Sequence, residues 1–311
     1  MARAFIFPGQ GAQSVGMGRG LAENWPEARA VFDTVDEALG EKLSHLVWTG
    51  SAEDLTLTAN AQPALMATSL AAMAALKAEG VGVERADYVA GHSLGEYSAL
   101  CAAGAISLED TARLLRMRGQ AMQQAVPVGE GAMAAVLGLD VEAVTAIAAE
   151  AAQDGVCEAA NDNDPAQVVV SGSREAVERA VALAKERGAK RAVLLPVSAP
   201  FHCALMQPAA EAMRAALADV AIAAPRVPLV ANVKAAPVSD PEEIRALLVA
   251  QVTGRVRWRE SVEWMAAQGV EDFWEIGAGK ALSGMVRRIF KGAQTRAIGM
   301  PEDVRAAAGA V

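Results

Sequence analysis

The chain has 311 residues, of which 53% are hydrophobic, 21% charged and 4% aromatic, so it can form a large folded unit with a core of Ala, Leu, Val and Met. Its net charge is −9 and it has no run of Lys and Arg, which excludes a basic patch for nucleic acid or a membrane surface. No apolar span is long enough to cross a bilayer, and no basic segment precedes an apolar one at the start, so we expect neither a membrane helix nor a signal peptide.

The first predicted strand is Ala4–Phe7, an apolar run that Pro8 ends. The loop after it, from Gly9 to Gln13, resembles the start of a dinucleotide fingerprint, but Ser14 replaces the third glycine and no acid ends a second strand about twenty residues on. We therefore favour a loop that lends a backbone N–H to an active site. Nucleotide binding and a plain strand-to-helix turn are the alternatives.

Three helices are predicted next. One covers Pro26–Leu39, and a short one begins with a capping box at Ser51. The third covers Gln62–Glu79, with Pro63 in its first turn and Gly80 just past its end. It is apolar around most of its circumference, so we expect it to be buried.

The most informative stretch follows the apolar run Tyr88–Ala90, which reads as a buried strand. Gly91 to Gly95 matches G-x-S-x-G, and a helix-prone run begins at Leu94. In this strand–turn–helix context the glycines allow a sharp turn that exposes the hydroxyl of Ser93. The Leu94 N–H, at a helix N-terminus, is suited to hold an oxyanion. We predict a nucleophilic Ser93; a Gly-flanked turn with a solvated serine is the alternative.

The helix that Ser107 caps, running to about Val126, carries three arginines: Arg113, Arg116 and Arg118. Arginines on a helix usually lie on a solvated face. Arg118 is the exception to consider, because the next residue is Gly119, and a glycine inside a helix often permits a close approach.

A break at Pro127 to Gly131 precedes a distinct group of elements, complete within about seventy residues. These are strand Ala132–Leu137, helix Val141–Ala152, strands Val156–Ala160 and Gln167–Val170 joined by a loop from Asn161 to Pro165, helix Ser173–Arg187 and strand Arg191–Leu195. The order β-α-β-β-α-β predicts a ferredoxin-like subdomain at residues 128–196, inserted into a larger domain formed by residues 1–127 and 197–311.

The chain re-enters the large domain through Val197 to Cys203. The predicted elements after it are helix Ala204–Val220, strand Val227–Ala231, a loop from Asn232 to Pro237, helices Pro241–Val252 and Trp258–Gln268, strand Asp272–Ile276, helix Ala281–Phe290, strand Thr295–Ile298 and a frayed tail after Pro301. Strands that alternate with helices imply a mostly parallel sheet covered on both faces, so we predict an α/β-hydrolase-like large domain.

Ser93 needs a base, and the chain has three histidines. His92 is adjacent to Ser93 and points away from it at a strand end, so we expect it beside the site or in the core. His45 lies in an early helical segment and reads as structural. His202 lies in a Pro-bearing loop between a strand and a helix, where active-site loops of open α/β sheets gather, so we predict it as general base and then acid.

The residues alone do not choose the group that orients the imidazole of His202. Asp240, Glu260 and any nearby backbone carbonyl are candidates.

The three cysteines, Cys101, Cys157 and Cys203, are odd in number and scattered. They have neither a disulfide framework nor the spacing of a metal site. We expect a cytoplasmic protein with reduced thiols and with no metal or cofactor.

Collinear motifs over nearly the whole chain resemble the malonyl-CoA:acyl carrier protein transacylase family, whose architecture also includes an inserted ferredoxin-like domain. The matching segments, without departures, are Phe7 to Gln13, Gly91 to Tyr97, Met117 to Gly119, Asn161 with Gln167 to Gly172, Pro200 to His202, Asn232 with Val233, and Gln251 before Trp258.

The resemblance implies a two-step acyl transfer. Ser93 takes the malonyl group from malonyl-CoA as an ester, and the phosphopantetheine thiol of acyl carrier protein then receives it. His202 moves the proton in both steps, and the backbone carbonyl of Gln251 orients it. The backbone N–H groups of Gln10 and Leu94 form the oxyanion hole.

The resemblance also implies the substrate choice. Arg118 clamps the malonyl carboxylate, which explains a preference over acetyl because acetyl would leave a buried cation unpaired. Phe201 crowds the α-methyl group of methylmalonyl. His92 and Asn161 are expected near the pocket.

Other functions remain open from the sequence. A serine esterase or thioesterase uses the same elbow, a non-catalytic binding module would keep the fold, and discrete polyketide-type acyltransferases share the motifs. We expect a monomer that serves fatty acid synthesis. Because acyl carrier proteins are acidic, docking needs a local basic cluster, either Lys185, Arg187, Lys190 and Arg191 or Arg287, Arg288 and Lys291; each could equally be a solvated face.

Overall fold

The computed structural model describes residues 2–197 and 199–310 and contains two separate β-sheets. The strands are β1 (Ala2–Phe7), β2 (Tyr88–Gly91), β3 (Gly131–Leu137), β4 (Cys157–Asp164), β5 (Gln167–Ser173), β6 (Arg191–Leu194), β7 (Leu229–Ala231), β8 (Ala236–Val238), β9 (Val270–Ile276) and β10 (Gln294–Ile298). The predicted re-entry segment includes Ser198, which lies outside the described residues, as do Met1 and Val311 at the ends of the predicted large domain.

The helices are α1 (Arg19–Asn24), α2 (Pro26–Leu39), α3 (Leu43–Thr49), α4 (Ala52–Thr56), α5 (Thr58–Ala78), α6 (Gly95–Ala102), α7 (Leu108–Gln124), α8 (Val141–Ala152), α9 (Arg174–Glu186), α10 (Gln207–Ala218), α11 (Pro241–Thr253), α12 (Trp258–Ala267), α13 (Ala281–Ile289) and α14 (Pro301–Ala308). Among these described helices, none combines the length and apolar character that a bilayer crossing requires. The predicted caps at Ser51 and Ser107 are present, since each side chain accepts from the backbone N–H three residues on.

The larger sheet has the strand order β10-β9-β1-β2-β7-β8 and is parallel except for β8. Apolar clusters cover both of its faces: Phe5 and Phe7 of β1 point into one, and Ala4 and Ile6 into the other. The prediction of a mostly parallel sheet with helices on both faces is therefore confirmed. Its loops at the carboxyl ends of β1 and β2 meet at one edge, where ligands of such sheets bind.

The smaller sheet is antiparallel, with the order β4-β5-β3-β6. Its strands alternate: Ala134 and Val136 of β3 pack under α8 and α9, whereas Met133 and Ala135 face the main core. This two-residue period is typical of a sheet whose two faces have different neighbours. One face of the small sheet therefore contributes to the interior that contains the site.

Strand β4 joins the small sheet to helices that pack on the large sheet. It extends to Asp164, so the loop predicted from Asn161 to Pro165 is wrong over most of its length. The buried carboxylates of Asp162 and Asp164 pair with Arg259 of α12 and Arg288 of α13, at 2.9 and 2.7 Å. The backbone N–H of Asp162 also donates to Val256. Asn and Asp are poor strand formers, so these tertiary partners outweigh the local propensity.

Helix α5 begins at Thr58, four residues before the predicted start, so that Pro63 lies inside it. A proline inside a helix leaves the carbonyl four residues earlier without its N–H partner. Here that carbonyl belongs to Ala59, and it accepts from the guanidinium of Arg116 at 2.5 Å. A partner from α7 therefore compensates for the proline, and local sequence could not reveal it.

Three further predictions are corrected near the C-terminal half. Part of the loop predicted from Asn232 to Pro237 forms edge strand β8, where Pro237 is tolerated. The tail predicted to fray is α14, because Val304 is fully buried in the core. The helix predicted from Ala204 begins as a 3-10 turn, and α10 proper starts at Gln207, with Pro208 in its first turn.

The close approach predicted at Gly119 is present. A Cβ there would lie 2.6 Å from the Thr58 carbonyl oxygen and 2.7 Å from the Ala59 Cα. We expect Gly119→Ala to push α7 from the start of α5 and to lower the free energy of unfolding by about 1–3 kcal/mol, measured as a lower Tm. The matched control is Gly284→Ala, also helical, where the nearest atom is 3.5 Å away. Equal melting of the two variants would contradict the packing argument.

Candidate active site

The nucleophile turn lies between β2 and α6, at the carboxyl edge of the large sheet. Ser93 has a left-handed backbone with φ of 54°, and its side chain is partly exposed in a pocket. A Cβ on Gly91 would overlap the backbone of Gly95, and one on Gly95 would overlap the end of β1. Only glycines allow α6 to start this close to both strands. The strained φ of Ser93 is typical of a functional site.

Asn232, at the end of β7, braces this turn from the neighbouring strand. Its Oδ1 accepts from the Ser93 N–H at 2.8 Å, and its Nδ2 donates to the Gly91 carbonyl at 2.7 Å. The fully buried amide thus bonds to both sides of the turn. It offsets part of the strain at Ser93, a role that the sequence motif of Asn232 with Val233 did not reveal.

Ser93, His202 and Gln251 form one hydrogen-bonded line. The Nε2 of His202 lies 2.8 Å from the Ser93 Oγ, and its Nδ1 lies 2.8 Å from the Gln251 carbonyl oxygen. A carbonyl only accepts, so Nδ1 carries the proton and the Nε2 of neutral His202 accepts from the serine. His202 also has a left-handed φ, of 59°. The carboxylate candidates lie elsewhere: Asp240 caps α11 and Glu260 pairs with Arg257.

Arg118 of α7 points into the same place and is only 1% exposed. Its guanidinium donates to the Ser93 Oγ at 3.1 Å and to the side-chain oxygens of Gln62 and Gln251, both at 2.8 Å. No carboxylate in the described part of the chain forms an ion pair with it, and its Nε has no partner there. A buried cation that no carboxylate contacts favours an anionic ligand.

The other two arginines of α7 behave differently. Arg113 is exposed and pairs with Asp110, as a solvated helix face predicts. Arg116 bonds to the first turn of α5 and pairs with Glu41. Only Arg118, beside the glycine that permits close packing, enters the site.

The electrostatics of the site keep the base neutral. Burial, and next the charge of Arg118, lower the pKa of His202 from its ordinary value of 6.5 to about 3. Burial raises the pKa of Glu96 to about 7, against the opposing effects of its bonds from Gln251 and Asn232 and of the charge of Arg118. A neutral His202 is ready to take a proton from Ser93.

A cavity of about 520 Å³ opens over these groups. Its walls come from the small sheet, from the loops after β1 and β2, and from helices α5, α7 and α13. The lining residues include Gln10, Gln62, His92, Ser93, Leu94, Arg118, Met122, Met133, Asn161, Asn163, Val169, Leu195, Val197, Phe201, His202, Leu282 and Met285. Every site residue that the family resemblance implied, except Gln251, lies on this wall. Gln251 lies behind it and is fully buried.

His92 and Asn161 are on the wall without bonding to Ser93. The Nε2 of His92 lies 2.8 Å from the Oδ1 of Asn163, so the imidazole N–H donates to that amide, and its ring packs against Trp258. Burial lowers the pKa of His92, which keeps it neutral. His45 lies on the exposed side of α3 and contacts Thr49.

Gln10 and Leu94, whose backbone N–H groups are the predicted oxyanion donors, both line this cavity. Leu94 directly precedes the first turn of α6, where helix N–H groups lack partners within the helix. Gln10 lines the same cavity from the loop after β1, with its side chain donating to Thr58. Among the described residues, no group of three or more His, Cys, Asp or Glu side chains is placed to hold a metal ion.

Sequence reasoning missed four residues of the site: Asn163, Gln62, Glu96 and Asn232 as a brace. Glu96 and Asn232 fall within recognised motifs but act through partners more than 130 residues apart, such as the 3.1 Å bond between them. Gln62 was only the predicted first residue of a helix. No local signal marks these contacts.

Comparison with known proteins identifies relatives over the whole chain. The acyl transferase domain model matches residues 4–308. A malonyl CoA-acyl carrier protein transacylase of Bacillus subtilis (strain 168) is 47% identical over 305 residues, 98% of this chain and 95% of that protein. The crystal structure of an acyl-carrier-protein S-malonyltransferase from Bartonella henselae is 58% identical, with a TM-score of 0.98 over 100% of this chain and 99% of that one. A malonyl-transacylase in complex with its type II PKS acyl-carrier protein is 40% identical, with a TM-score of 0.97 over 100% of both chains.

The low pKa of His202 predicts that Ser93 keeps its reactivity at mildly acidic pH. Because His202 stays neutral well below its ordinary pKa, the rate at which a fluorophosphonate probe labels Ser93 should stay nearly constant from about pH 7.5 to about pH 5. In Arg118→Ala the loss of the cation raises the pKa of His202, so labelling should fall at higher pH than in the parent. Parent labelling that halves near pH 6.5 would contradict this assignment.

Proposed function

We propose that this chain, which belongs to the acyl transferase domain family, moves a malonyl group from malonyl-CoA to the phosphopantetheine thiol of an acyl carrier protein. The observation that carries the proposal is the buried guanidinium of Arg118, which has no carboxylate in contact with it among the described residues and lies 3.1 Å from the Ser93 Oγ. An acyl group that ends in a carboxylate completes such a site, and malonyl is a short acyl group of that kind.

In the first step the Ser93 Oγ attacks the thioester carbonyl while its proton passes to the Nε2 of His202. The backbone N–H groups of Leu94 and Gln10 stabilise the tetrahedral oxyanion. The C–S bond then breaks, and His202 returns the proton to the sulfur of coenzyme A as it leaves. The Gln251 carbonyl holds the imidazole in the required tautomer and stabilises the transient imidazolium.

The second step is the reverse of the first with a different thiol. The carrier thiol gives its proton to His202 and attacks the malonyl ester. The ester C–O bond breaks, and Ser93 recovers its proton from His202. One base therefore serves both steps, and no cofactor is needed.

Substrate choice follows from two side chains on the pocket wall. Pairing the malonyl carboxylate with Arg118 removes the penalty of a buried unpaired cation, which acetyl cannot do. Phe201 is 8% exposed beside His202, and its ring leaves little room for the α-methyl group of methylmalonyl.

We infer the finer architecture from strand order. The small sheet, β4-β5-β3-β6, has the order and antiparallel pairing of a ferredoxin-like fold, which supports an inserted subdomain at 128–196. Residues 1–127 and 197–311 then form the α/β-hydrolase-like domain, with its nucleophile turn after β2.

The chain supplies every group of the proposed mechanism, so we expect the monomer to be active. The three cysteines are free, which fits a reducing, cytoplasmic location. Of the two basic clusters, the one at the C-terminal end of α13 is favoured for carrier docking, because Leu282 and Met285 of that helix line the cavity. Arg288 of this cluster is already paired with Asp164, so Arg287 and Lys291 would make the contact. We expect the malonyl-carrier product to supply fatty acid synthesis; the relative bound to a type II PKS carrier keeps a polyketide role as the alternative.

Loading of Ser93 is the first test. Malonyl-CoA alone should convert the protein to a one-to-one malonyl ester that hydrolyses slowly, because transfer needs a thiol acceptor. Intact-mass measurement after mixing with malonyl-CoA, acetyl-CoA and methylmalonyl-CoA separately should show malonyl as the preferred group, and Ser93→Ala should take up none. Rapid release of free malonate without a thiol would instead indicate an esterase or thioesterase.

The role of Arg118 is tested by Arg118→Ala. Malonyl loading should fall by about 100-fold, the effect of losing a charge-assisted pair, while some acetyl loading is gained. The matched control is Arg113→Ala on the exposed side of the same helix, which should load malonyl as the parent does. A preserved malonyl preference in Arg118→Ala would mean that another residue holds the carboxylate.

A further inference from the structure

Glu96 is a buried carboxyl group that takes no part in the mechanism described above. It lies in the first turn of α6 and is 1% exposed. Its Oε2 accepts from the Gln251 Nε2 at 2.8 Å and from the Asn232 N–H at 3.1 Å. Its backbone N–H donates to the Ser93 carbonyl at 3.0 Å, but among the described residues its carboxyl group forms no hydrogen bond with Ser93 or His202. Burying a carboxyl group costs free energy, which its two hydrogen bonds offset only in part. We therefore ask what these two bonds do for the site.

The side-chain amide of Gln251 uses its oxygen as an acceptor on one side and its NH₂ group as a donor on the other. Its Oε1 accepts from Arg118, while its Nε2 faces the Ser93 carbonyl at 3.0 Å and Glu96. Turning the amide over would set its NH₂ group against the donors of Arg118 and its oxygen against Glu96. The shape of the amide is nearly symmetric, so only these partners fix its orientation.

We propose that Glu96 is a positioning residue for malonyl selectivity: its Oε2 holds the Gln251 amide in the orientation that aims the Arg118 guanidinium at the substrate carboxylate. This inference rests on the proposed function of the site. Glu96 acts through Gln251, so its effect falls on substrates that carry a carboxylate. The proton shuttle is separate, because His202 bonds to the backbone oxygen of Gln251 and not to its side chain.

The role of Glu96 does not depend on whether its carboxyl group is ionised. Its Oε2 can accept both hydrogen bonds in either protonation state, whereas its Oε1 has no partner among the described residues. The same oxygen reaches Asn232, which braces the turn at Ser93. Loss of Glu96 therefore predicts a modest fall in all acyl loading, through Asn232, and a larger fall for malonyl, through Gln251.

The experiment compares malonyl and acetyl loading of Ser93 in Glu96→Ala, Glu96→Gln and the parent, as kcat/KM from intact-mass time courses. In Glu96→Ala the malonyl-to-acetyl ratio should fall about tenfold, chiefly through a higher KM for malonyl-CoA. Glu96→Gln should recover most of the ratio, because its amide oxygen can accept the same two bonds. A purely structural role would lower both rates equally and leave the ratio unchanged, which would overturn the proposal.

Gln251→Met keeps the test decisive if Glu96→Ala does not fold. Methionine has a similar length, but its sulfur is only a weak acceptor for Arg118, so the ratio should fall as in Glu96→Ala. A parent-like ratio would refute the inference. The double variant that combines Glu96→Ala with Gln251→Met should lose no more selectivity than either single variant, because each substitution breaks the same connection from Glu96 through Gln251 to Arg118. Failure of the parent itself to load malonyl would instead refute the proposed function, and so the two failures are distinguishable.

Discussion

The constraint on which this site depends is a guanidinium held out of water beside a serine oxygen, with no carboxylate of the described residues in contact with it. Arg118 donates to Ser93 and is steadied by the side-chain oxygens of two glutamines, which share its charge without cancelling it. Its field also contributes to the low pKa of His202. A substrate carboxylate that pairs with Arg118 would relieve the unpaired charge and, in the same event, make His202 more basic. Under the proposed function, one cation would thus couple substrate recognition to activation of the nucleophile.

The fold brings these groups together from distant parts of the chain. The parallel sheet places the ends of β1 and β2 at one edge, and glycines let the Ser93 turn close against them. The small sheet completes the pocket from the other side, and two arginines of α12 and α13 anchor it through buried aspartates of β4. The ion pairs lie where a strand of Asn and Asp residues would otherwise be unstable. These two ion pairs fix the position of Asn161 and Asn163, on the cavity wall, relative to Ser93.

The sequence predicts what is local and misses what is long-range. The Ser93 turn is readable because strand, glycines and helix start lie within a few residues, and Arg118 stands out only because Gly119 follows it. The extension of β4 and the early start of α5 are not readable, since arginines from other elements satisfy Asp162 and the Ala59 carbonyl. Glu96 and Asn232 are bonded across 136 residues, so no spacing rule connects them. Motif resemblance locates such residues without giving their contacts.

The most direct test of the central claim is a crystal structure of the malonyl ester on Ser93. The account predicts that the malonyl carboxylate forms two parallel hydrogen bonds with Arg118, that the guanidinium no longer donates to the Ser93 Oγ, and that the ester carbonyl oxygen faces the N–H groups of Leu94 and Gln10. A carboxylate that points to solvent or pairs with another cation, with Arg118 still bonded as in the unloaded protein, would contradict it.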